Sequence, residues 1–156
     1  MSVQMLFPKT RLGSLIGKPG GKRVADAIEE AKANLGELKG ECLADVEQAV
    51  SEIEARVKGV RDFDAGLVDD LYGLAARVLG LPGSVGMEAL DVALSSFCVL
   101  MDNLRLSKQW DAAAVAVHVQ SLRLLLTAAA ADRTDGVMQI LEGLKQVSAR
   151  YAPPDA

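Results

Sequence analysis

From Val24 onward, apolar residues recur at steps of three and four, which is the period of an amphipathic α-helix and not of a strand. Two helices are predicted at the start of this pattern, one over residues 24–38 that ends near Gly40 and one over residues 43–57 that ends near Gly59. Because glycine commonly follows the last turn of a helix, Gly40 predicts an antiparallel helical hairpin.

Four more helices follow along the chain. The apolar spacing predicts them over residues 67–78, 90–104, 110–131 and 137–147. The first of these four is stopped by the glycines and proline at 80–83, and the last by two prolines at 153 and 154. No alternating β-branched run remains to form a sheet, and the connections are short. The sequence therefore predicts an all-α fold, an up-and-down helical bundle.

The beginning of the chain differs from the rest in its density of helix-breaking residues. Its first 21 residues hold Pro8, Gly13, Gly17, Pro19, Gly20 and Gly21. Because such residues prevent regular structure from propagating, we predict a flexible basic N-terminal arm over residues 1–22. We expect a single helical-bundle domain over residues 23–151 and a disordered tail over residues 152–156.

Composition narrows the function classes. The chain has 156 residues, of which 50% are hydrophobic, so one domain can bury a core without disulfides or a metal. Cys42 and Cys98 have no neighbouring His or Cys, so we expect two buried, inert thiols and neither a metal site nor a cofactor. No apolar stretch reaches the roughly 20 residues that a membrane span needs, and no secretory signal begins the chain, so we expect a cytoplasmic protein.

The charge distribution argues against nucleic acid as a partner. The chain has 17 basic and 21 acidic side chains, and five of the basic ones precede the first acid, Asp26. The remainder of the chain is therefore strongly acidic, with 12 basic and 21 acidic side chains. Phosphate backbones are bound by clustered Lys and Arg, and the one such cluster lies in the arm. The arm suits an acidic partner or the acidic body of its own chain.

The third predicted helix has an unusual outward side. Projected at about 100° per residue, its large apolar residues share one side. The opposite side carries Asp69, Gly73, Ala76, Arg77 and Gly80. Glycine costs about 1 kcal/mol relative to alanine inside a helix, so the two glycines need a reason. One reason is the close approach of a partner's backbone; another is that Gly80 merely ends the helix, while Gly73 is sequence drift or packs closely on a neighbouring helix.

The string AARVLGLPGSVG over residues 75–86 resembles the motif of histidine-phosphotransfer (HPt) domains, A-H-x-[LI]-K-G-x-A-G-x-x-G. The matching positions are Ala75, Val78, Gly80, Gly83 and Gly86. With its flanking helices, the resemblance covers residues 69–103. It implies a four-helix core, here with extra helices, in which the small exposed glycine leaves room for a response-regulator receiver domain to dock.

Two departures from this motif remove its chemistry. Ala76 stands where the family has its phospho-accepting histidine, and Leu79 where it has its phosphate-neutralising lysine. In addition, Pro82 ends the helix earlier than in the family. The resemblance therefore implies a docking module that binds a receiver domain or a histidine kinase and is not phosphorylated at the usual position.

A second resemblance spans most of the chain. The strings FPKTRLGSLIGKPGGKRVADAI in the arm and VHVQSLRLLL in the fifth predicted helix are similar to the CheE family. These are small accessory proteins encoded with alphaproteobacterial chemotaxis clusters. This resemblance implies a soluble partner of the chemotaxis kinase or of its response regulators.

His118 is the single histidine of the chain. It lies on the apolar side of its predicted helix, which predicts a core histidine that is hydrogen-bonded across the bundle. The alternative is a phospho-accepting His118, since imidazole is the nucleophile of phosphotransfer domains. A Ser/His/Asp triad would have to be assembled around His118 by folding, and the adjacent acids Asp69 and Asp70 are not paired for acid–base work, so we predict no enzyme active site. Three hypotheses remain: a binding module without catalysis, a phosphotransfer protein that uses His118, and a structural or oligomerisation bundle.

Overall fold

The protein is described by a computed structural model over residues 21–151. This part of the chain is helical and contains no strand. Its helices are α1 (Val24–Val57), α2 (Ala65–Val78), α3 (Leu81–Ser84), α4 (Glu88–Ser107), α5 (Ala112–Ala130) and α6 (Val137–Ala149). The predicted all-α helical bundle is confirmed. The predicted arm lies outside the described residues up to residue 20 and the predicted tail lies wholly outside them, so both stay predictions.

The predicted hairpin at Gly40 is wrong, because α1 runs through this position without a break. Gly36 and Gly40 are both helical and exposed, and a Cβ atom built on either would meet nothing within 4 Å. A glycine inside a helix costs only about 1 kcal/mol. The apolar period continues across Gly40 from Leu38 to Cys42 and Val46, and the burial of its later part outweighs that cost.

The chain divides into two compact units at residues 35 and 36. The described part of the first unit, residues 21–35, is exposed throughout and helical from Val24. Two ion pairs lie within it, Lys22 with Glu30 and Lys32 with Glu29, the latter at 3.6 Å from Nζ to Oε1. The second unit, whose described part is residues 36–151, contains the hydrophobic core.

Helix α4 is the centre of the second unit, since it packs against α2, α3, α5 and α6. Its inward side is fully buried at Phe97, Leu100 and Leu104. Aliphatic residues from the later half of α1 and from the other helices complete the core, among them Val46, Val50, Ile53, Leu71, Leu90, Leu94, Leu122 and Leu144. The core is therefore mainly aliphatic, and Phe97 is its one buried phenylalanine among the described residues.

Two of the helices begin at an aspartate whose carboxylate accepts hydrogen bonds from free backbone N–H groups. Asp64 accepts from Leu67 N at 2.8 Å, and Asp111 accepts from Ala113 N and Ala114 N, both at 2.9 Å. The hydroxyl of Tyr151 also donates to Asp111. Asp111 therefore fixes the start of α5 and holds Tyr151, two residues beyond the end of α6.

We expect Asp111→Ala to lower the free energy of unfolding by about 1–2 kcal/mol at neutral pH, because it removes this cap. The Tyr151 hydroxyl and the backbone N–H groups lower the pKa of Asp111 below its ordinary value of 3.8. The stabilisation by the Asp111 carboxylate is then fully present above pH 3.8, and it declines as the pH falls towards the lowered pKa of the folded state. Chemical denaturation of both proteins across this range measures the difference. A difference in the free energy of unfolding that does not become smaller in acid would contradict the role of the carboxylate. Tyr151→Phe measures separately how much the hydrogen bond from the tyrosine contributes.

Helix α5 is the one helix in the described part of the chain that is long and apolar enough to cross a membrane, judged by length and composition alone. The sequence expectation missed it because it required an uninterrupted apolar run. The 19 residues of α5 include one charged side chain, Arg123. That side chain donates to Glu54 of α1, from Nε at 3.0 Å. A core helix of a soluble bundle has the same composition.

Candidate functional site

The α2 surface consists of Asp69, Gly73, Ala76, Arg77 and Gly80. The structure places Asp69, Gly73, Arg77 and Gly80 on the exposed side of the helix or at its end, whereas Ala76 is half-buried and packs against the core. A Cβ atom built on Gly73 would meet nothing within 4 Å, so this glycine faces open space and packs against no neighbouring helix. The sequence-based explanation of Gly73 by packing within the bundle is therefore wrong. The open position leaves room for a partner.

The two charged residues of the α2 surface pair with neighbouring helices. Asp69 Oδ1 lies 3.5 Å from Arg105 Nη1 of α4, and Arg77 Nη2 lies 3.9 Å from Glu52 Oε1 of α1. Exposed pairs of this kind contribute little to stability. These pairs hold the negative charge of Asp69 and the positive charge of Arg77 on either side of Gly73 and Ala76, which carry only a hydrogen atom and a methyl group.

Gly80 is explained by its backbone conformation. Its φ of +86° lies in the left-handed region, which favours glycine, and it separates the end of α2 from α3. The second of the two explanations offered by the sequence, a helix end, therefore accounts for this glycine. Its backbone N–H donates to Asp91 Oδ1 at 2.6 Å. The end of α2 is thereby held to the first turn of α4.

Asp91 is a positioning residue that the sequence reasoning missed. Besides accepting from Gly80, its carboxylate lies close to Gly83, where a Cβ atom would be 3.3 Å from Asp91 Oδ2. A side chain at Gly83 would therefore press against the carboxylate of Asp91, which would have to shift by a few tenths of an ångström. The available signal was an acidic residue in the first turn of a helix that follows a glycine-rich turn. A negative charge at this place also interacts favourably with the helix dipole.

Large apolar side chains are exposed beside the small residues of α2. Tyr72 is 39% exposed, Leu79 is 41% exposed and Leu81 is 39% exposed. Leu79 occupies the position at which the HPt motif has lysine, so an aliphatic side chain reaches solvent where that family has a cation. This end of α2 therefore offers small and apolar contacts, which suit another protein better than a phosphate group.

His118 is fully buried, as its position on the apolar side of the helix predicted. Its Nδ1 lies 2.9 Å from the carbonyl oxygen of Ala114, and its Nε2 lies 3.1 Å from Ser96 Oγ and 3.2 Å from Ser148 Oγ. A carbonyl only accepts, so Nδ1 carries the proton and Nε2 of the neutral ring accepts from a serine. Ser96 and Ser148 also contact each other, at 2.9 Å between their hydroxyl oxygens. The ring is thus hydrogen-bonded across three helices.

This environment keeps His118 neutral. Burial lowers the pKa of the ring, and the hydrogen bond to Ala114 offsets only part of that effect. Nε2 faces two hydroxyls and is not exposed to solvent. A phosphoryl donor has to reach a ring nitrogen, so phosphorylation of His118 requires the serines of α4 and α6 to move away.

A groove with a volume of about 990 Å³ lies between α4 and α6. Exposed Val92, Val99 and Met138 line it, and both serines that contact His118 lie at its wall. None of the five residues of the α2 surface belongs to it. Sequence reasoning missed this groove, because it depends on the packing of two helices whose contact is not visible in the chain.

The two cysteines are free and buried, as predicted. Burial raises the pKa of Cys98 to about 11, and it also raises that of Cys42. Both thiols are therefore protonated and inert at neutral pH. Within residues 21–151, no three His, Cys, Asp or Glu side chains converge in a way that would hold a metal ion.

No family model, curated protein or solved structure matches the chain. The resemblances to HPt domains and to the CheE family therefore rest on the sequence strings alone.

Proposed function

We propose that this chain is a non-catalytic, HPt-like signalling module of a two-component or chemotaxis pathway, which binds a response-regulator receiver domain or a histidine kinase through the α2 surface. The observation that carries the proposal is Gly73. It is an exposed helical glycine that faces open space, on the same side of α2 as Ala76. Gly36, Gly40 and Gly143 are equally open, so what distinguishes Gly73 is its place beside Ala76 and near the exposed Tyr72 and Leu79.

The shape and polarity of the surface support a protein partner. With only hydrogen at Gly73 and a methyl group at Ala76, a partner helix can approach the α2 backbone closely. Exposed Tyr72 and Leu79 supply apolar anchors beside this strip, and Asp69 and Arg77 supply charges that fix orientation. Buried aromatic and aliphatic anchors contribute most of the affinity of such contacts, and the flanking charges contribute specificity.

The absence of phosphotransfer follows from two positions. Ala76 has no nucleophile where the HPt motif has one, and His118 Nε2 is covered by Ser96 and Ser148. We therefore expect the wild-type protein to acquire no acid-labile label from an autophosphorylated kinase or a phosphorylated receiver domain. Label that appears in the wild type and vanishes in His118→Gln would instead support phosphotransfer through His118.

Two matched substitutions test which surface binds. Gly73→Arg fills the open position on α2, and Gly143→Arg places the same side chain in the α4–α6 groove. A Cβ atom meets nothing within 4 Å at either glycine, so neither substitution should clash with the bundle. Gly73 is a better choice than Gly80, where any side chain is strained by the positive φ.

The measurement is a pull-down from native cytoplasm with mass spectrometry, followed by calorimetric titration of the retained receiver domain or kinase. We expect Gly73→Arg to weaken binding at least tenfold and Gly143→Arg to leave it unchanged, with equal thermal stability in both. Normal binding by Gly73→Arg overturns the proposal. Loss of binding in Gly143→Arg alone would move the docking site to the groove. Retention of neither class of protein favours a structural or oligomerisation bundle.

A further inference from the structure

A stripe of large apolar residues on the early part of α1 is exposed to solvent. Val24 is 76% exposed, Ile28 49%, Leu35 57% and Leu38 53%. Ala31, between them, is also exposed. We call Val24, Ile28, Ala31, Leu35 and Leu38 the α1 stripe. Single exposed apolar residues are ordinary in proteins, but a continuous row on one side of a helix marks a contact surface.

The spacing of the α1 stripe is that of a coiled coil. Its residues follow one another at steps of four, three, four and three, which is the a/d pattern of a heptad repeat. The next residue in the row, Cys42, is buried, and the following ones, Val46, Val50 and Ile53, are fully buried in the core. Within the described residues, this row of α1 is therefore packed from Cys42 onward and exposed before it.

The early part of α1 continues a helix whose later part is packed in the core. Most helical stability comes from packing of the amphipathic side. Residues 24–35 are exposed throughout, and their exposed ion pairs contribute little. Covering the α1 stripe would therefore stabilise this segment.

We propose that a second copy of this chain covers the α1 stripe, in a parallel, in-register coiled coil. The stripe has no charged residue at its a and d positions, so it is complementary to itself. In a parallel pair, each g position of one helix lies opposite an e position of the other. Ala27 then faces Lys32 and Asn34 faces Lys39, so no two like charges meet. An antiparallel pair would place the lysines of both copies, Lys32 and Lys39, along the same edge. The charges therefore select the parallel arrangement.

This inference does not depend on the proposed function, since the α1 stripe and the α2 surface share no residue. If both hold, the dimer carries two α2 surfaces.

The oligomeric state of the full chain tests the proposal. We expect light scattering coupled to size exclusion to give the mass of a dimer that dissociates on dilution. Ile28→Glu combined with Leu35→Glu should raise the dissociation constant by roughly a hundredfold or more, since it puts charges into the apolar seam. Ala33→Glu is the matched control, because residue 33 lies at an f position on the opposite side of the helix.

A cysteine placed in the seam tests the orientation. In a parallel, in-register pair, Ala31→Cys faces its own counterpart and should form an interchain disulfide under mild oxidation, whereas Ala33→Cys should not. The native cysteines are buried and do not interfere. A monomer at every concentration, or a dimer that persists in Ile28→Glu with Leu35→Glu, overturns the proposal. A dimer in which Ala31→Cys does not cross-link overturns the parallel register, and capture of an unrelated helical protein by a monomer assigns the stripe to that partner.

Discussion

Replacing His118 with alanine is expected to lower the free energy of unfolding by about 2–4 kcal/mol at neutral pH. The ring is fully buried, and its centroid lies 6.4 Å from that of Phe97 in a tilted arrangement. Its removal leaves a cavity in the core and deprives Ser96 and Ser148 of their shared acceptor. Urea denaturation of both proteins measures the difference.

The same substitution should change how stability depends on pH. Burial lowers the pKa of His118 below its ordinary value of 6.5, so the unfolded chain takes up a proton near 6.5 while the folded chain does not. Between these two pKa values the unfolded state binds more protons, and stability therefore falls as the pH drops below 6.5. The His118→Ala variant lacks this pH dependence. The difference in the free energy of unfolding between the variant and the wild type should therefore become smaller in mild acid.

Ser96→Ala and Ser148→Ala are the controls for the hydrogen bonds. Each should cost about 1 kcal/mol or less, because His118 Nε2 keeps the other serine. A change within about 0.5 kcal/mol for His118→Ala itself would be typical of a surface residue. That result would contradict the buried placement and revive His118 as a phosphoryl acceptor.

Hydrophobic periodicity was sufficient to predict most of the helices. The helix predicted over residues 67–78 is observed at Ala65–Val78, and the one over residues 137–147 at Val137–Ala149. At Gly40 two sequence signals conflict, because the apolar row continues across this position whereas the glycine predicts a helix end. The structure follows the apolar row, since α1 is continuous there. A glycine lowers helix stability by about 1 kcal/mol, which the burial of one large apolar side chain exceeds.

The helical projection of the sequence predicted which residues lie on the outward side of α2. It did not predict which residues of other helices contact them. Arg105 and Glu52 contact this helix from other elements, at sequence separations that carry no local signal. The projection could place Gly80 on a side of the helix. It could not show that a left-handed backbone, and not a partner, requires a glycine there.

For His118 the predictable part was again the side of the helix. Its burial follows from neighbouring apolar residues within α5, whereas its partners Ser96 and Ser148 lie 22 and 30 positions away. Their approach depends on how α4 and α6 pack beside α5, which also creates the groove between them. Contacts between helices are set by the packing of whole surfaces, so no short motif encodes them.

The resemblance of α2 to a phosphotransfer helix leads to a gain-of-function prediction. The double variant Ala76→His with Leu79→Lys is expected to acquire an acid-labile phosphoryl label from the phosphorylated receiver domain that binds the wild type, whereas the wild type acquires none. Gly73 and Gly80 lie about one turn to either side of residue 76 and carry no side chain, so an imidazole there has room to reach a partner. Leu79 is 41% exposed, so a lysine at this position extends into solvent. At about 4 Å its attraction for a phosphate charge is worth roughly 1–4 kcal/mol.

The single variants separate the two roles. Ala76→His alone should be labelled more slowly, because it has the nucleophile without the neighbouring cation, and Leu79→Lys alone should stay unlabelled because it has no nucleophile. Adding Gly73→Arg to the double variant should abolish the label, since the arginine occupies the space through which the receiver domain approaches. A double variant that binds the receiver normally and still stays unlabelled shows that α2 does not present residue 76 to the phosphorylated aspartate of its partner. The likeness to HPt domains would then reduce to a coincidence of glycine spacing, in which Gly80 and Gly83 serve the left-handed turn and the Asp91 carboxylate of this chain alone.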